Sequence, residues 1–470
     1  MIPLPLGREE AQSREHSLGV IGGVEPLASA DFLLKLVEAT EAEAAAGCFD
    51  IVFEQRALTT TQGGATPTAW QLSLLDVITG FAARSVGTVV LPCFSCYAFL
   101  EELKANSPLP IADMMEALHA HVSEYFPAIR HIGIVTSEHL RELRVFERYF
   151  PAAQLTILYP RWEGDYSLEL FHEACADLVE QGAELVIPGL SELIPFSQKI
   201  APVSVPVLDP HRIYARYVVS RRLPRPERPF KLGVVGGVGP AATVDFLQKV
   251  VRHTPARRDQ DHLKVLVEQN PQIPDRTEHL LGKGADPTLA LYATCKKLQA
   301  GEADMIAIPC NTAHAFIDRI QPHLDIPIIN MLAATASHVR DAFPQLREAG
   351  LLATTGTIST GIYQRALQKQ GLRQVVPPPA LQARMMHAIY GPKGIKAGFM
   401  SGECVEDIHV VIDELVSRGT EVIILGCTEL PLVFPGGELQ TRQGGRVTLV
   451  DPTEILALRC ISQATARSRR

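Results

Sequence analysis

The stretch "GVVGGVGPAATVDFLQKVV", Gly233 to Val251, decides how this chain is organised, because it is written twice. "GVIGGVEPLASADFLLKLV", Gly19 to Val37, lies over it with 12 of 19 positions identical. The pairing continues in order along the chain. "IVFEQ" from Ile51 matches "VLVEQ" from Val265, and "VVLPCFSCYAFL" from Val89 matches "IAIPCNTAHAFI" from Ile306. "GAELVIPGLSEL" from Gly182 matches "GTEVIILGCTEL" from Gly419, and "VPVLDPHRIYA" from Val205 matches "VTLVDPTEILA" from Val447. The chain therefore reads as a tandem duplication with units at 17–222 and 230–470. The joint "SRRLPRPERPF", Ser220 to Phe230, has the prolines and charges of an exposed linker.

Within each unit, short apolar runs rich in β-branched residues alternate with longer segments of helical period. "DMIAIP", "EVIILG" and "ELVIPG" read as buried strands, and "VEDIHVVIDELVSRG" as an amphipathic helix closed by Gly419. Strand-helix alternation predicts an α/β fold of parallel sheets covered on both faces. In such sheets, sites lie just beyond the carboxyl ends of the strands.

Gly237, Gly239 and Ala242 fit the spacing of a dinucleotide-binding loop between strand and helix. The twin argues against that reading. Glu25 stands at the position of Gly239, where a carboxylate would repel a pyrophosphate and a β-carbon would block its approach. The acidic residue expected about 20 residues on has only Asp259 and Asp261 as candidates, in a charged, loop-like stretch. A tight strand-to-helix turn is the better account. Its backbone amides, Gly237 among them, remain able to hold a small anion such as a substrate carboxylate.

The bulk numbers exclude several function classes. With 470 residues, 46% apolar and 20% charged, the chain suits a globular protein of two domains. A net charge of -8 gives no footprint for nucleic acid or an anionic membrane surface. No apolar run approaches the 18 or so residues of a membrane span. "MIPLPLGREEAQSREHS" has charges where a signal peptide needs an apolar core, so it reads as a loose tail. Nine cysteines, scattered without framework spacing, argue for reduced thiols in a cytoplasm. The close pair "CFSC", Cys93 to Cys96, fits either a thioredoxin-like redox site or two buried thiols.

Chemistry is written most clearly in the second unit. Cys310 follows a buried strand and precedes Asn311 and Thr312; Cys427 sits in the same setting before Thr428 and Glu429. Both thiols should emerge at strand ends where a helix begins, a place that favours the thiolate. The neighbouring amide and hydroxyls are donors suited to a carboxylate. Metal binding is not expected, since neither cysteine has C-x-x-C or paired-histidine spacing. His314, four residues after Cys310, is open to two readings, a tuning neighbour or a residue of core or surface.

"GVVGGVGPAAT", "NPQIPDRT", "PCNTAH", "LLATTGTISTGIYQ", "GIKAG", "LGCTELPLV" and "DPTEILA" span 231–460 nearly end to end. With these motifs the chain resembles the aspartate/glutamate racemase family, and its second unit resembles the aspartate racemases that work without pyridoxal phosphate. The resemblance implies two pseudo-symmetric, doubly wound parallel-sheet lobes per unit, with one catalytic cysteine from each lobe. Cys310 and Cys427 take those roles. Asn311, Thr312 and Thr428 would then bind the α-carboxylate of an acidic amino acid, while Arg276 and Lys396 hold its side-chain carboxylate. No cofactor and no metal is implied. A pyridoxal Schiff base on Lys396 would leave two thiols without purpose.

The first unit departs from that pattern. It keeps Cys93 but has Phe94 and Ser95 for the Asn-Thr pair, and Leu190 for Cys427. Its "EQRALTTTQGGATP" is short and lacks P-D-R, and no I-K-x-G precedes "LFHEACADLVEQG". One thiol cannot run a two-base inversion, so a structural or ligand-sensing role is expected. Racemases of this family commonly pair, and the first unit is expected to serve as a built-in pseudo-dimer partner, with further homo-oligomerisation left open.

Overall fold

The computed structural model describes residues 17–23, 25–42, 49–55, 67–151, 155–161, 167–200, 203–226 and 228–467. The opening tail, the shortened loop of the first copy from Arg56 to Thr66, and Glu227 of the joint lie outside the described residues. The chain divides into two compact units, Met1–Arg228 and Pro229–Arg470.

In the first unit, β1 (Ser17–Gly22), β2 (Asp50–Gln55), β3 (Thr88–Val90) and β4 (Ile111–Ala112) form a parallel sheet in the order β2-β1-β3-β4. A second parallel sheet holds β5 (His131–Val135), β6 (Thr156–Leu158) and β7 (Leu185–Pro188) in the order β6-β5-β7. The second unit repeats the plan. Its first sheet is β10-β8-β9, from β8 (Lys231–Gly236), β9 (Lys264–Gln269) and β10 (Met305–Ala307). An isolated parallel bridge, Ile306 to Ile328, stands where the first unit has β4. Its other sheet runs β12-β11-β13-β15-β14, from β11 (Glu348–Leu352), β12 (Arg373–Val375), β13 (Val422–Leu425), β14 (Gly437–Gln440) and β15 (Arg446–Val450). Helical crossovers keep neighbours parallel, since a parallel return needs a long connection. The exception is β14, which pairs antiparallel with β15 through a tight hairpin whose Gly444 has φ +86°.

The twin stretches both pass from strand to helix, Ser17–Gly22 to Pro26–Ala42 and Lys231–Gly236 to Pro240–His253. In the second unit β8 is buried along all but its first residue, because both faces of the sheet are covered. Gly237 turns the chain at φ +84°, where a β-carbon would lie 2.3 Å from the Asn270 carbonyl carbon. Gly239 follows at φ +111°, and Pro240 opens the helix Pro240–His253, its fixed φ suiting the first helical position. The helix Glu403–Ser417 buries Ile408, Val411, Ile412 and Leu415, and Gly419 ends it at φ +87°.

Each unit is closed by its last helix. Pro452–Arg467 packs Leu456, Ala457 and Cys460 against Leu232, Val234 and Phe246. Lys249, 7% exposed, is held by Asp245 one turn earlier and by Asp451 at 2.5 Å, just before that helix; it also donates to Thr453 Oγ1 at 2.7 Å. The first unit repeats this triad with Lys35 between Asp31 at 2.7 Å and Asp209 at 2.8 Å, and His211 replaces Thr453. At the far end of the second unit, Arg467 stacks over Phe230 at 6.0 Å and pairs with Asp304 at 3.1 Å.

Candidate active site

Cys310 lies three residues beyond β10, and Cys427 two beyond β13, one from each sheet of the second unit. Both side chains are nearly buried, at 7% and 6% exposure. They line one narrow cleft together with Arg276, Asn311, Thr312, Lys396 and Thr428. Seven of the eight residues singled out from the sequence thus meet in one place. The eighth does not line it. The Gly237 amide donates to Thr243 Oγ1 at 3.2 Å, so this glycine is spent on the turn and offers no anion site. Val238, next along, lines the cleft instead.

The peptides after each cysteine form short 3₁₀ turns, Thr312–Ala315 and Leu430–Leu432, rather than α-helices. The thiolate-favouring helix end expected from the sequence is therefore missing at both. At Cys427 the effect is reversed. Burial, joined by the Glu429 carboxylate, pushes its thiol well above the ordinary range, and the thiol donates to Glu429 Oε2 at 3.0 Å. Glu429 also takes Lys396 Nζ on its other oxygen at 2.5 Å. Burial would lower Lys396, but Glu429 and Cys427 more than offset it, so the ammonium is held well above its usual value. Its Nζ lies 5.3 Å from the centroid of the Tyr390 ring.

Arg276 sits at the first position of the short helix Arg276–Leu280, capped by Asp275. It is 7% exposed, and its Nη1 donates to the carbonyls of Ile273 at 3.2 Å and Pro274 at 3.0 Å. Burial works against its charge, yet the nearby Cys310 sulfur and Asp275 raise it above its ordinary value. The guanidinium Nε is buried without a hydrogen-bond partner. So is Asn311 Nδ2, while Asn311 Oδ1 accepts from Tyr363 at 2.6 Å. Two buried donors without a protein acceptor suit an anion with oxygens to offer. Thr312 joins Thr354 and Thr357 in a hydroxyl cluster, with Thr312 Oγ1 to Thr357 Oγ1 at 2.8 Å.

His314 proves to be a core residue. Its ring is wedged between the Cys310 carbonyl at 2.9 Å and the Met331 amide at 3.0 Å, so it braces the backbone and does not touch the cleft. Sequence reasoning passed over Glu429, Thr277, Thr354 and Tyr390, which also line the cleft. Glu429 stood beside Cys427 in "GCTEL", and Thr354 in "LLATTGT"; Tyr390, alone at a helix end, gave no signal. Among the described residues, His387, Glu403 and Asp407 bring metal-type ligand atoms within 4.8 Å of one another. They are not cleft residues, and Asp407 is already paired with Arg384 at 2.9 Å.

In the first unit Cys93, Phe94 and Leu190 are buried, and the Phe94 amide donates to Ser191 Oγ at 3.3 Å. Cys96 hydrogen-bonds with Cys93, and that bond and burial drive its thiol well above the ordinary range. An activated redox dithiol requires the opposite. Burial and the charge of Glu25 raise the Glu192 carboxyl above its ordinary value.

The family described as Asp/Glu/Hydantoin racemase matches residues 21–218 and again residues 235–460. This chain belongs to that family. A broad specificity amino-acid racemase of Bacillus subtilis (strain 168) is 26% identical over 212 residues, 43% of this chain and 87% of its own. The glutamate racemase of Corynebacterium kroppenstedtii is 30% identical over 167 residues, 34% of this chain and 54% of its own. Among solved structures, the aspartate racemase of Picrophilus torridus is 30% identical and covers 50% of this chain and 94% of its own, with a TM-score of 0.44. Among the described residues, no helix is long and apolar enough to cross a membrane.

Proposed function

We propose that the second unit racemises an acidic amino acid, aspartate foremost, with its two cysteines as paired acid and base and with neither cofactor nor metal. The observation that carries this reading is the meeting of Cys310 and Cys427 in one small cleft with two cations, the buried Arg276 and the partly exposed Lys396. An amino acid α-proton is very weakly acidic, so its removal needs a water-poor site and stabilisation of the developing negative charge. A thiolate on one face takes the α-proton, and a thiol on the other delivers a proton to the opposite face of the carbon. The two exchange roles in the reverse direction. Asn311 Nδ2, Thr312 and Thr428 are assigned the α-carboxylate, and Arg276 and Lys396 the side-chain carboxylate. Both cations fit that task, Arg by its fork of donors and Lys as a point charge.

Proton NMR of L-aspartate in D₂O without pyridoxal phosphate tests the reading. Loss of the α-proton signal is the expected result, and an unchanged signal would reduce the second unit to a binding module. Similarity to glutamate and broad specificity racemases favours a second reading with a wider substrate range. Comparable rates on alanine or serine would select it. The reduced cysteines support a cytoplasmic setting. We also propose the first unit as a non-catalytic partner of the second, held at high effective concentration by the short joint. A fragment of residues 226–470 should then lose activity or self-associate in sedimentation; a fully active monomer with unchanged Tm would refute the partnership.

A further inference from the structure

Glu429 joins two groups whose tasks are otherwise separate, and its Oε2 also accepts from Thr428 Oγ1 at 3.4 Å. One carboxylate oxygen receives the Cys427 thiol at 3.0 Å, and the other receives Lys396 at 2.5 Å. Lys396, assigned above to the substrate's distal carboxylate, is therefore already paired with Glu429. The acid-base thiol is tied to the same group. Room for this arrangement comes from Gly239, since a β-carbon there would stand 2.8 Å from Glu429 Oε1. Glu429 itself is only 4% exposed, so water gives its carboxylate little help if Lys396 leaves.

We propose that Glu429 is a positioning residue that couples recognition of the distal carboxylate to the protonation of Cys427. The distal carboxylate takes Lys396 from Glu429 by partner exchange. Stripped of its cation in a buried site, the Glu429 carboxylate becomes a stronger base. It then accepts the Cys427 proton: the S–H bond breaks, an O–H bond forms on Oε2, and the sulfur keeps the electron pair as thiolate. The proton returns along the same 3.0 Å contact when product leaves and Lys396 swings back. Amino acids without a second carboxylate leave the Lys396–Glu429 pair closed and Cys427 a thiol. Selectivity then arises in the chemical step as well as in binding.

This inference rests on the racemase reading, and the test separates the two. Full-length wild type, E429Q and E429D are compared for binding of succinate, a dicarboxylate without the amino group, and of propionate, which has no distal carboxylate. E429Q removes the competing charge, so succinate should bind about 10-fold tighter while propionate gains clearly less. In turnover, kcat for aspartate should fall by about 100-fold as KM falls, a split that a merely structural residue does not produce. E429D, too short to span both partners, should shift both readouts the same way, and it carries the test if E429Q does not fold. Unchanged or weaker succinate binding, or an equal gain for both ligands, would overturn the coupling even if wild type racemises aspartate. A selective succinate gain in a protein that racemises nothing would uphold the exchange at Lys396 and overturn the catalytic reading alone.

Discussion

Where the second unit has Gly239, the first has Glu25, and around that exchange the two clefts diverge. In the second, the missing β-carbon lets Glu429 approach and pair with Lys396. In the first, Glu192 meets the charge of Glu25, and Leu190 fills the place of the second thiol. Far from the clefts the units agree: the strands they share keep one order, and each holds an Asp-Lys-Asp triad around a buried lysine. Fold and chemistry are therefore carried by separate residues. A handful of strand-end positions can change while the framework stays intact.

The cysteines offer the largest effect by which this contrast can be broken. Cys310→Ser and Cys427→Ser should each cut aspartate racemisation by about 10⁴-fold, since a hydroxyl is a far weaker acid than a thiol. Cys93→Ser should leave most activity, and a dead Cys93→Ser with a surviving Cys310→Ser would move the chemistry to the other unit. Next come the shared triads. Lys249→Met and Lys35→Met each take the buried cation from two carboxylates that are buried or part-buried, at a cost of about 2–4 kcal/mol, below the full cost of breaking a buried pair. Urea unfolding should show that loss in both units alike, and a loss in only one would break the claim of a common framework. Arg276→Ala follows, with a rise in KM for aspartate of about 100-fold and little change for neutral amino acids.

The smallest effect sharpens a difference within the framework. Burial holds His211 below its usual 6.5 despite its 2.8 Å contact with Asp31, whereas the second unit has Thr453 there. A depressed histidine favours the folded state fully above its unfolded value and loses that contribution as pH falls through the folded one. Asp31, lowered on balance because His211 and Lys35 outweigh its burial, acts in the same direction at lower pH. Below about pH 6.5 the first unit should lose the stability that His211 supplies, while the second loses its own share at His314, which burial also depresses. His211→Thr should raise the stability of the first unit at pH 5 relative to pH 8 by about 2–4 °C in Tm and leave the second unit unmoved, read by amide exchange in each unit. An unchanged pH dependence of the first unit in His211→Thr would refute it.

Much of this was legible in the sequence because repetition is a strong signal. Two copies of one pattern marked the strand-to-helix entry and set Glu25 against the reading of a pyrophosphate loop. Cys310, Cys427, Arg276 and Lys396 were visible as motif residues. What stayed hidden depends on three-dimensional approach. A helix end was expected behind each cysteine, but Pro431 follows Cys427 closely and only short 3₁₀ turns form. No spacing rule says that Glu429 reaches both Lys396 and its own neighbour Cys427. His314 could not be placed until the Met331 amide was seen to cap its ring. The antiparallel β14 was missed because a four-residue edge strand among glycines has no periodicity to read.

The stack of Arg467 on Phe230 brings the last turn of the second unit against its first residues, within 6.0 Å. A module whose beginning and end are neighbours can be cut and rejoined elsewhere with little strain, because its core does not depend on where the chain happens to open. Genetically, such a unit is a bead with both threading holes on one side. New openings at exposed loops, with Phe230 and Arg467 bridged by a short glycine-serine tether, are then natural places to build reordered versions of the active half.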